Sequence, residues 1–141
     1  MLYLLDGNTK TAKWNGVPLH EASSALIKEE LNGDFVLTLR YPITDSGIYR
    51  TIKEDMLIKS PTPVLGSQLF RVKKPVESDD FIDVTCYHIS DDVMQHSIKA
   101  MNAVQVGCAS ALSQMVQQAK TSMSDFSFSS DIAQPHTFQT T

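Results

Sequence analysis

A strict alternation of residues in the segment FVLTLRYP, from Phe35 to Pro42, constrains the fold more than any other stretch of this sequence. Successive side chains point to opposite faces of a strand, so Phe35, Leu37, Leu39 and Tyr41 predict one buried face. Proline cannot donate a hydrogen bond to a neighbouring strand, so the strand is expected to end at Pro42. The buried row requires further strands or a helix to cover it.

An Asn-Gly pair, Asn32-Gly33, lies just before this strand. Both residues tolerate positive φ, which a type I′ turn requires at its two central positions. The segment from Ser24 to Leu31 is expected to form the preceding strand. The apolar residues on one of its faces are Ala25, Ile27 and Leu31. We therefore predict a β-hairpin from Ser24 to Tyr41.

Short strand patterns separated by polar turns continue through the first 90 residues. MLYLL is expected to form a strand that ends in the turn Asp6-Gly7-Asn8. Further strands are predicted in DMLIK, SQLFRVKK and DDFIDVTCYHIS. Five or six such strands predict a mainly β domain over residues 1–90, built as a small antiparallel β-barrel or sandwich.

The pattern changes after Ser90. DDVMQ is expected to form one helical turn, and a helix with an apolar stripe is predicted from Cys108 onward. The stripe consists of Cys108, Ala111, Leu112, Met115, Val116 and Ala119. DFSFSSDI is expected to form a strand with Phe126 and Phe128 on one side. We predict that residues 91–141 begin a second α+β domain that is truncated at the C-terminus, or that the chain closes its core against another chain.

The composition is that of a globular protein, with 42% hydrophobic and 20% charged residues and a net charge of −4. Apart from Arg71, Lys73 and Lys74, the basic residues are scattered, and this trio is interpreted as the solvated side of a strand. A specific nucleic-acid binder would show a basic face, so we do not expect specific nucleic-acid binding by this chain. The apolar run at the N-terminus is too short for a signal peptide or a membrane span, which predicts synthesis in the cytoplasm without membrane insertion.

Cys86 and His88 are the pair most suggestive of chemistry, because a thiolate beside an imidazole can act as a nucleophile. Residues two apart on a strand lie about 6.5–7 Å apart, which is long for a nucleophile and its base. A buried thiol and a half-buried histidine are the favoured interpretation. A zinc site formed with His96 and Cys108 would lack the close ligand pairs of structural zinc sites.

The acidic residues lie mainly at turns, where Asp satisfies backbone donors, and Glu29 and Glu30 are interpreted as the polar approach to a turn. Glycine-rich phosphate loops and the Gly-x-Ser-x-Gly motif are absent from the sequence. We assign no catalytic, cofactor-binding or metal-binding residue and expect no cofactor. Trp14 is expected to cap a core, although an exposed Trp14 with Tyr3 would favour a binding groove.

The order of these motifs resembles the N-terminal region of phage tail hub proteins of Gram-positive siphophages and prophages. These proteins are called tail-associated lysins, prophage endopeptidase tail proteins or minor structural proteins. The matching positions are Glu29, Glu30, Asn32, Gly33, Phe35, Leu37, Leu39, Tyr41 and Pro42, then Leu57, Ile58 and Lys59, then Phe70, Arg71 and Val72, and finally Tyr87, His88, Ile89 and Ser90. The resemblance covers essentially the whole chain but only the first part of a family member. The TDSGIYRTIKED loop departs from the family pattern.

The resemblance implies a structural component of a phage tail tip or baseplate hub, located in the virion tail. It implies a homotrimeric ring of β-barrel domains that closes the tail tube and contacts the distal tail ring protein and the tape-measure protein. It also implies that any peptidoglycan-degrading activity lies in C-terminal domains, so this chain is not expected to be an enzyme. A receptor- or carbohydrate-binding tail module is the alternative, and part of a tail endopeptidase with its catalytic domain elsewhere is a second alternative.

Overall fold

A computed structural model describes residues 1–139 of the chain. The chain divides into two compact units, Met1–Ser90 and Asp91–Thr141. The second domain predicted from the sequence includes residues 140 and 141, which lie outside the described residues.

The first unit is built from antiparallel β-strands. Within the described residues they form one seven-stranded sheet in the order β2-β1-β5-β6-β7-β4-β3. The strands are β1 (Tyr3–Leu5), β2 (Val17–Pro18), β3 (Ser24–Glu29), β4 (Phe35–Pro42), β5 (Leu57–Thr62), β6 (Gly66–Glu77) and β7 (Phe81–His88). A 3-10 helix, Ile48–Thr51, lies in the loop between β4 and β5. The prediction of a mainly β fold is confirmed.

Strand β4 has the buried face that its alternation predicts. Leu37, Leu39 and Tyr41 are completely buried, and Phe35 is half-buried. Each large apolar side chain removed from water in this way stabilises the fold by about 1.5–3 kcal/mol. The buried row joins the inner faces of the neighbouring strands in one large hydrophobic core.

The hairpin of β3 and β4 is confirmed, but the predicted type I′ turn is wrong. Asn32 has a positive φ of 57°, whereas Gly33 does not have a positive φ. The turn is closed by the Gly33 N–H, which donates to the Glu30 carbonyl at 3.0 Å. A Cβ at position 33 would lie 2.9 Å from the Cβ of Glu30, so glycine is needed there for close packing rather than for its dihedral angles.

The sheet curls but does not close into a barrel by strand pairing among the described residues. Its two edges, β2 and β3, are joined by residues 19–23, which can span at most about 20 Å. Leu19 N–H donates to the Leu2 carbonyl and Ser23 N–H donates to the Arg40 carbonyl, both at 3.0 Å. This short segment therefore bridges from β1 to β4, and the two edges lie near each other.

A small second core lies on the outer face of β1, β5 and β6. It contains Leu5, Leu57 and Leu69, with Ala12 and Ile89 packed against them. Residues 6–16 form a loop over this face, held by the Arg71 guanidinium, which donates to the Gly7 and Asp55 carbonyls at 3.2 and 2.8 Å. Arg71 therefore fixes a loop, in addition to lying on the solvated side of its strand.

The second unit contains β8 (Asn102–Val106), α1 (Cys108–Gln117) and β9 (His136–Gln139). The strands β8 and β9 pair antiparallel. The predicted helix is confirmed from Cys108 but ends before Ala119, which forms an isolated bridge with Ile98. A 3-10 helix, Ile89–Gln95, covers the predicted DDVMQ turn.

The strand predicted in DFSFSSDI is wrong. Phe126 N–H donates to the Met123 carbonyl at 3.0 Å, which makes a local turn at the start of this segment. The Phe126 ring contacts the His96 ring edge-on at 5.4 Å between centroids. The backbone N–H of Phe126 is hydrogen-bonded within this turn, and its ring packs on His96. Phe126 therefore does not need a neighbouring strand, although Phe126 and Phe128 alternate.

Candidate functional site

Strand β3 forms an unpaired edge of the sheet within the described residues. Its register with β4 is unbroken from Ser24 opposite Arg40 to Glu29 opposite Phe35. The next pair is hydrogen-bonded, because Glu30 N–H donates to the Asp34 carbonyl at 2.9 Å. Hydrogen-bonded pairs alternate in an antiparallel ladder. The backbone N–H and C=O groups that point away from β4 are therefore those of Ala25, Ile27 and Glu29.

The side chains of β3 leave this edge accessible. Leu26 is 69% exposed, Ala25 is exposed and Ile27 is half-buried. The strand contains no proline and no bulge, two features that commonly protect an edge. Lys28 provides one protective charge, although its amine pairs with Glu30 at 2.7 Å. The edge can therefore pair with a strand from another chain.

The opposite edge of the sheet is poorly suited to pairing. Strand β2 contains only two residues, and one of them is Pro18, which has no backbone N–H to donate. The two edges are therefore unequal, and only β3 offers a ladder several residues long.

The Cys86 and His88 pair has the burial that the strand pattern predicts. Cys86 is fully buried, and burial raises the pKa of its thiol to about 12, so the thiol is protonated at neutral pH. A buried neutral thiol is a poor nucleophile. His88 is half-buried and stacks on Phe35 with 4.6 Å between ring centroids.

The hydrogen bonds of His88 define its tautomer. The Gln68 amide nitrogen donates to the Leu65 carbonyl at 2.8 Å, so its oxygen, 3.1 Å from His88 Nε2, is an acceptor. The proton is therefore assigned to Nε2. Nδ1 then accepts from Ser90 N–H at 3.2 Å and from the Ser90 hydroxyl at 2.8 Å. Through these hydrogen bonds His88 connects the end of β7 to the turn before β6.

No group of three or more His, Cys, Asp and Glu side chains in residues 1–139 is placed to hold a metal ion. Cys86 belongs to the first unit, whereas His96 and Cys108 belong to the second. Both cysteines are free thiols.

One carboxylate that the sequence did not single out is the centre of a hydroxyl cluster. Oε2 of Glu21 accepts hydrogen bonds from the hydroxyl groups of Ser46, Thr44 and Tyr41 at 2.7, 2.9 and 3.2 Å. The Ser46 bond, followed by the Thr44 bond, lowers the pKa of Glu21 below its ordinary value. The cluster fastens the segment before β3 to the end of β4. Glu21 lies 20–25 residues before the three hydroxyl donors, so no local pattern could have revealed the cluster.

Another carboxylate, Asp83, lies on the outer face of the sheet. The Arg40 guanidinium donates two hydrogen bonds to it, at 2.7 and 2.8 Å, and lowers its pKa. Both side chains are nearly half exposed, so the pair stabilises the fold only weakly. The arrangement is typical of a structural ion pair.

The expectation that Trp14 caps a core is wrong, because its side chain is 64% exposed. Ala12 is the residue of this loop that covers the outer core, and Trp14 is left outside it. Lys59 Nζ donates to the Trp14 carbonyl at 3.3 Å and to Asn15 Oδ1 at 2.8 Å. The same amine lies 5.9 Å from the centre of the Tyr3 ring. An exposed indole thus lies on a loop with a defined position.

No helix among the described residues is long and apolar enough to cross a membrane. Comparison of the chain with protein-family models, with curated proteins and with solved structures finds no match. The β3 edge and the exposed apolar side chains are therefore the observations that bear on function.

Proposed function

We propose that this chain is a structural component of a bacteriophage tail tip or baseplate hub. In this proposal three copies form a ring that closes the tail tube and joins the distal tail ring protein, with the tape-measure protein as a further partner. The protein is made in the bacterial cytoplasm and assembled into the virion tail. The unpaired β3 edge is the observation that carries the proposal.

A ring subunit needs one surface that meets a different surface on the next copy, because such heterologous contacts close into rings. Strand β3 provides one of these surfaces: it offers outward backbone groups at Ala25, Ile27 and Glu29 beside the exposed side chain of Leu26. Because β2 is short and contains proline, the sheet has one usable edge. With one usable edge, pairing of β3 with β3 would stop at two copies, so a ring of three requires β3 to meet a different surface of the next copy.

The second candidate function is a receptor- or carbohydrate-binding tail module. The exposure of Trp14 favours it, because an indole face on an ordered loop can stack on a sugar ring. In the third candidate, a tail endopeptidase, the catalytic domain lies outside this chain. We assign no catalytic residue for that reaction.

The decisive experiment measures molecular mass by light scattering, with and without the distal tail ring protein encoded in the same phage or prophage genome. We expect a trimeric complex with the ring protein. Ala25→Pro removes an outward N–H while leaving the bonds to β4, so it should lower the trimer fraction. Ala25→Ser is the matched control because it keeps the amide. Leu26→Lys tests the same edge without a backbone change.

A chain that stays monomeric and ignores the ring protein would argue strongly against a hub. Binding to host cell-wall polysaccharide that is lost in Trp14→Ala would favour the second candidate instead. Release of peptidoglycan fragments that disappears in Cys86→Ala or His88→Ala would move the assignment to an enzyme.

A further inference from the structure

The sequence contains two Asn-Gly pairs, Asn15-Gly16 and Asn32-Gly33. An asparagine in this position can react with the backbone nitrogen of the residue that follows it, because glycine has no Cβ to obstruct the approach. Both asparagines are exposed, so neither the local sequence nor exposure distinguishes the two pairs. The contacts around each pair differ.

The reaction is spontaneous and removes the side-chain amide of asparagine. The glycine nitrogen attacks Cγ of the asparagine, and the new N–Cγ bond closes a cyclic imide. The bond from Cγ to the side-chain nitrogen breaks, and that nitrogen leaves as ammonia with the proton of the glycine N–H. Water then opens the imide. Opening at Cγ gives aspartate, whereas opening at the main-chain carbonyl gives isoaspartate, in which the main chain runs through Cβ and Cγ.

Ring closure requires the glycine nitrogen to turn toward Cγ, so the peptide that joins the two residues must rotate. A pair whose side chain and backbone are both held by neighbouring groups therefore reacts slowly. A pair in a turn that can open reacts faster, because local opening of an exposed turn does not require global unfolding.

The Asn15-Gly16 pair is held on both sides. Lys59 Nζ donates to Asn15 Oδ1 at 2.8 Å and to the Trp14 carbonyl at 3.3 Å, which fixes the side chain and the preceding peptide. Gly16 packs closely against β1, since a Cβ there would lie 1.9 Å from the Leu4 carbonyl oxygen. Rotation of the peptide between Asn15 and Gly16 would break a hydrogen bond to a charged group and press Gly16 against this strand.

The Asn32-Gly33 pair lies in the exposed turn of the β3–β4 hairpin. The turn is closed by the Gly33 N–H, which donates to the Glu30 carbonyl at 3.0 Å. The three atoms nearest to a Cβ at Gly33 would all belong to Glu30, so this glycine is crowded mainly by its own turn. Asn32 has a φ of 57°, a conformation that costs free energy for residues with a Cβ. Opening of the turn therefore relieves strain and frees the Gly33 nitrogen.

Charge acts in the opposite direction at the two pairs. During ring closure a negative charge develops on the oxygen bound to Cγ, and Lys59 beside Asn15 would stabilise it. The turn of Asn32 instead contains Glu30 and Asp34, which would not. Backbone freedom decides the outcome, because the charge develops only after the glycine nitrogen has reached Cγ, and packing against β1 opposes that movement at Asn15.

We infer that Asn32 is a site of spontaneous deamidation and that the fold protects Asn15 from the same reaction. The product places a new carboxylate among Glu29, Glu30 and Asp34, which are all exposed. Isoaspartate also lengthens the main chain within the turn, which disturbs the alignment of β3 with β4. The modification stands apart from the proposed function, and only its consequence for contacts between copies through β3 rests on that function.

The test incubates the complete folded chain at mildly alkaline pH and follows both sites by tandem mass spectrometry of tryptic peptides. Trypsin cleaves after Lys13, Lys28 and Arg40, so the two asparagines fall in separate peptides. Chromatography separates the aspartate and isoaspartate forms, which have the same mass. We expect Asn32 to be converted at least about tenfold faster than Asn15, because a hydrogen bond to a charged group that must first be broken accounts for a factor of that size.

The same chain unfolded in urea is the control for local sequence, and there the two asparagines should react at similar rates. A difference that persists in urea would belong to the sequence and would overturn the inference. Equal rates in the folded chain, or an Asn32 that stays intact there, would overturn it as well.

The consequence for the hairpin is measured by thermal denaturation of fresh and aged protein. The melting temperature of the wild-type chain should fall as isoaspartate accumulates, whereas Asn32→Gly lacks the reactive amide and should keep its melting temperature. An unchanged melting temperature in fully converted wild-type protein would overturn the effect on the hairpin. None of these measurements requires an assembled ring, so their failure leaves the hub proposal intact and failure of that proposal leaves them intact.

Discussion

The two strands of the β3–β4 hairpin differ in burial although they alternate in the same way and pair without interruption. Leu37 and Leu39 of β4 are completely buried, whereas their partners in β3, Ile27 and Ala25, are half-buried and exposed. The difference comes from their neighbours. Strand β4 lies between β3 and β7, and β3 has a neighbour on one side only within the described residues.

The comparison teaches that alternation predicts which way a side chain faces but does not predict how deeply it is buried. Depth depends on how many strands and loops cover the position, and that is a property of the whole sheet. In this molecule the less covered strand is also the one proposed to contact other copies.

The largest expected effect compares the two strands by introducing an aspartate into each one. Leu37→Asp should abolish soluble folding, because an unpaired carboxylate would be buried in the inner core. Leu26→Asp should change the free energy of unfolding by no more than about 0.5 kcal/mol, because that side chain is already mostly in water. The yield of soluble protein tests the first expectation, and urea denaturation measures the free energy of unfolding for the second. Normal folding of Leu37→Asp would contradict the assignment of the inner face.

A smaller effect compares truncations on the shared inner face. Leu39→Ala should lower the free energy of unfolding by about 2–5 kcal/mol, because it leaves a cavity in a fully buried position. Ile27→Ala should cost roughly 1 kcal/mol, because less apolar surface is removed from water there. Urea titrations followed by circular dichroism give both values. Equal losses would show that β3 is covered as fully as β4 in solution.

Much of the first unit could be predicted from the sequence, because its strands carry local patterns. The alternation predicts which residues of β4 and β7 are buried, as Tyr41, Val84 and Cys86 show. The hairpin of β3 and β4 also follows from adjacent residues. In contrast, the exposed position of Leu31 was missed, because it depends on the turn conformation around Asn32.

The features that bear on function could not be predicted, because they depend on contacts between distant segments. The unpaired state of β3 follows from the strand order of the whole sheet. Trp14 is exposed because Ala12, two residues earlier, covers the outer core. Strand β8 was missed because its pattern is irregular, with a register shift between Ala103 and Val106 and a positive φ of 52° at Gln105.

The turn that joins the two strands gives the next prediction. Asn32→Ala should destabilise the hairpin by about 1 kcal/mol, because a residue with a Cβ in the left-handed region is strained unless its side chain can hydrogen-bond locally. Asn32→Gly is the control and should be neutral or slightly stabilising. Thermal denaturation of the two variants distinguishes them. Equal melting temperatures would mean that the turn relaxes and does not determine how β3 pairs with β4.

The smallest effect concerns the attachment of the segment before β3 to the end of β4. The pKa of Glu21 in the folded state is held below its ordinary value of 4.5, first by the Ser46 hydroxyl and then by Thr44. A carboxyl group with a lowered pKa contributes stability above its unfolded pKa, and this contribution is lost as the pH falls through the folded pKa. Glu21→Gln removes it, so the variant should lose less stability than the wild-type chain on acidification from neutral pH.

Denaturation at neutral pH and at pH values below 4.5 measures that difference, and it should be smaller than the effect of Asn32→Ala, because Glu21 is accessible to water. Ser46→Ala, which removes the strongest donor, should reproduce part of the change. Identical pH profiles for the wild-type chain and Glu21→Gln would show that the hydroxyl cluster does not hold the segment. In that case the hydrogen bond from Ser23 N–H to the Arg40 carbonyl, together with the pairing of β3 with β4, would hold the entry to β3.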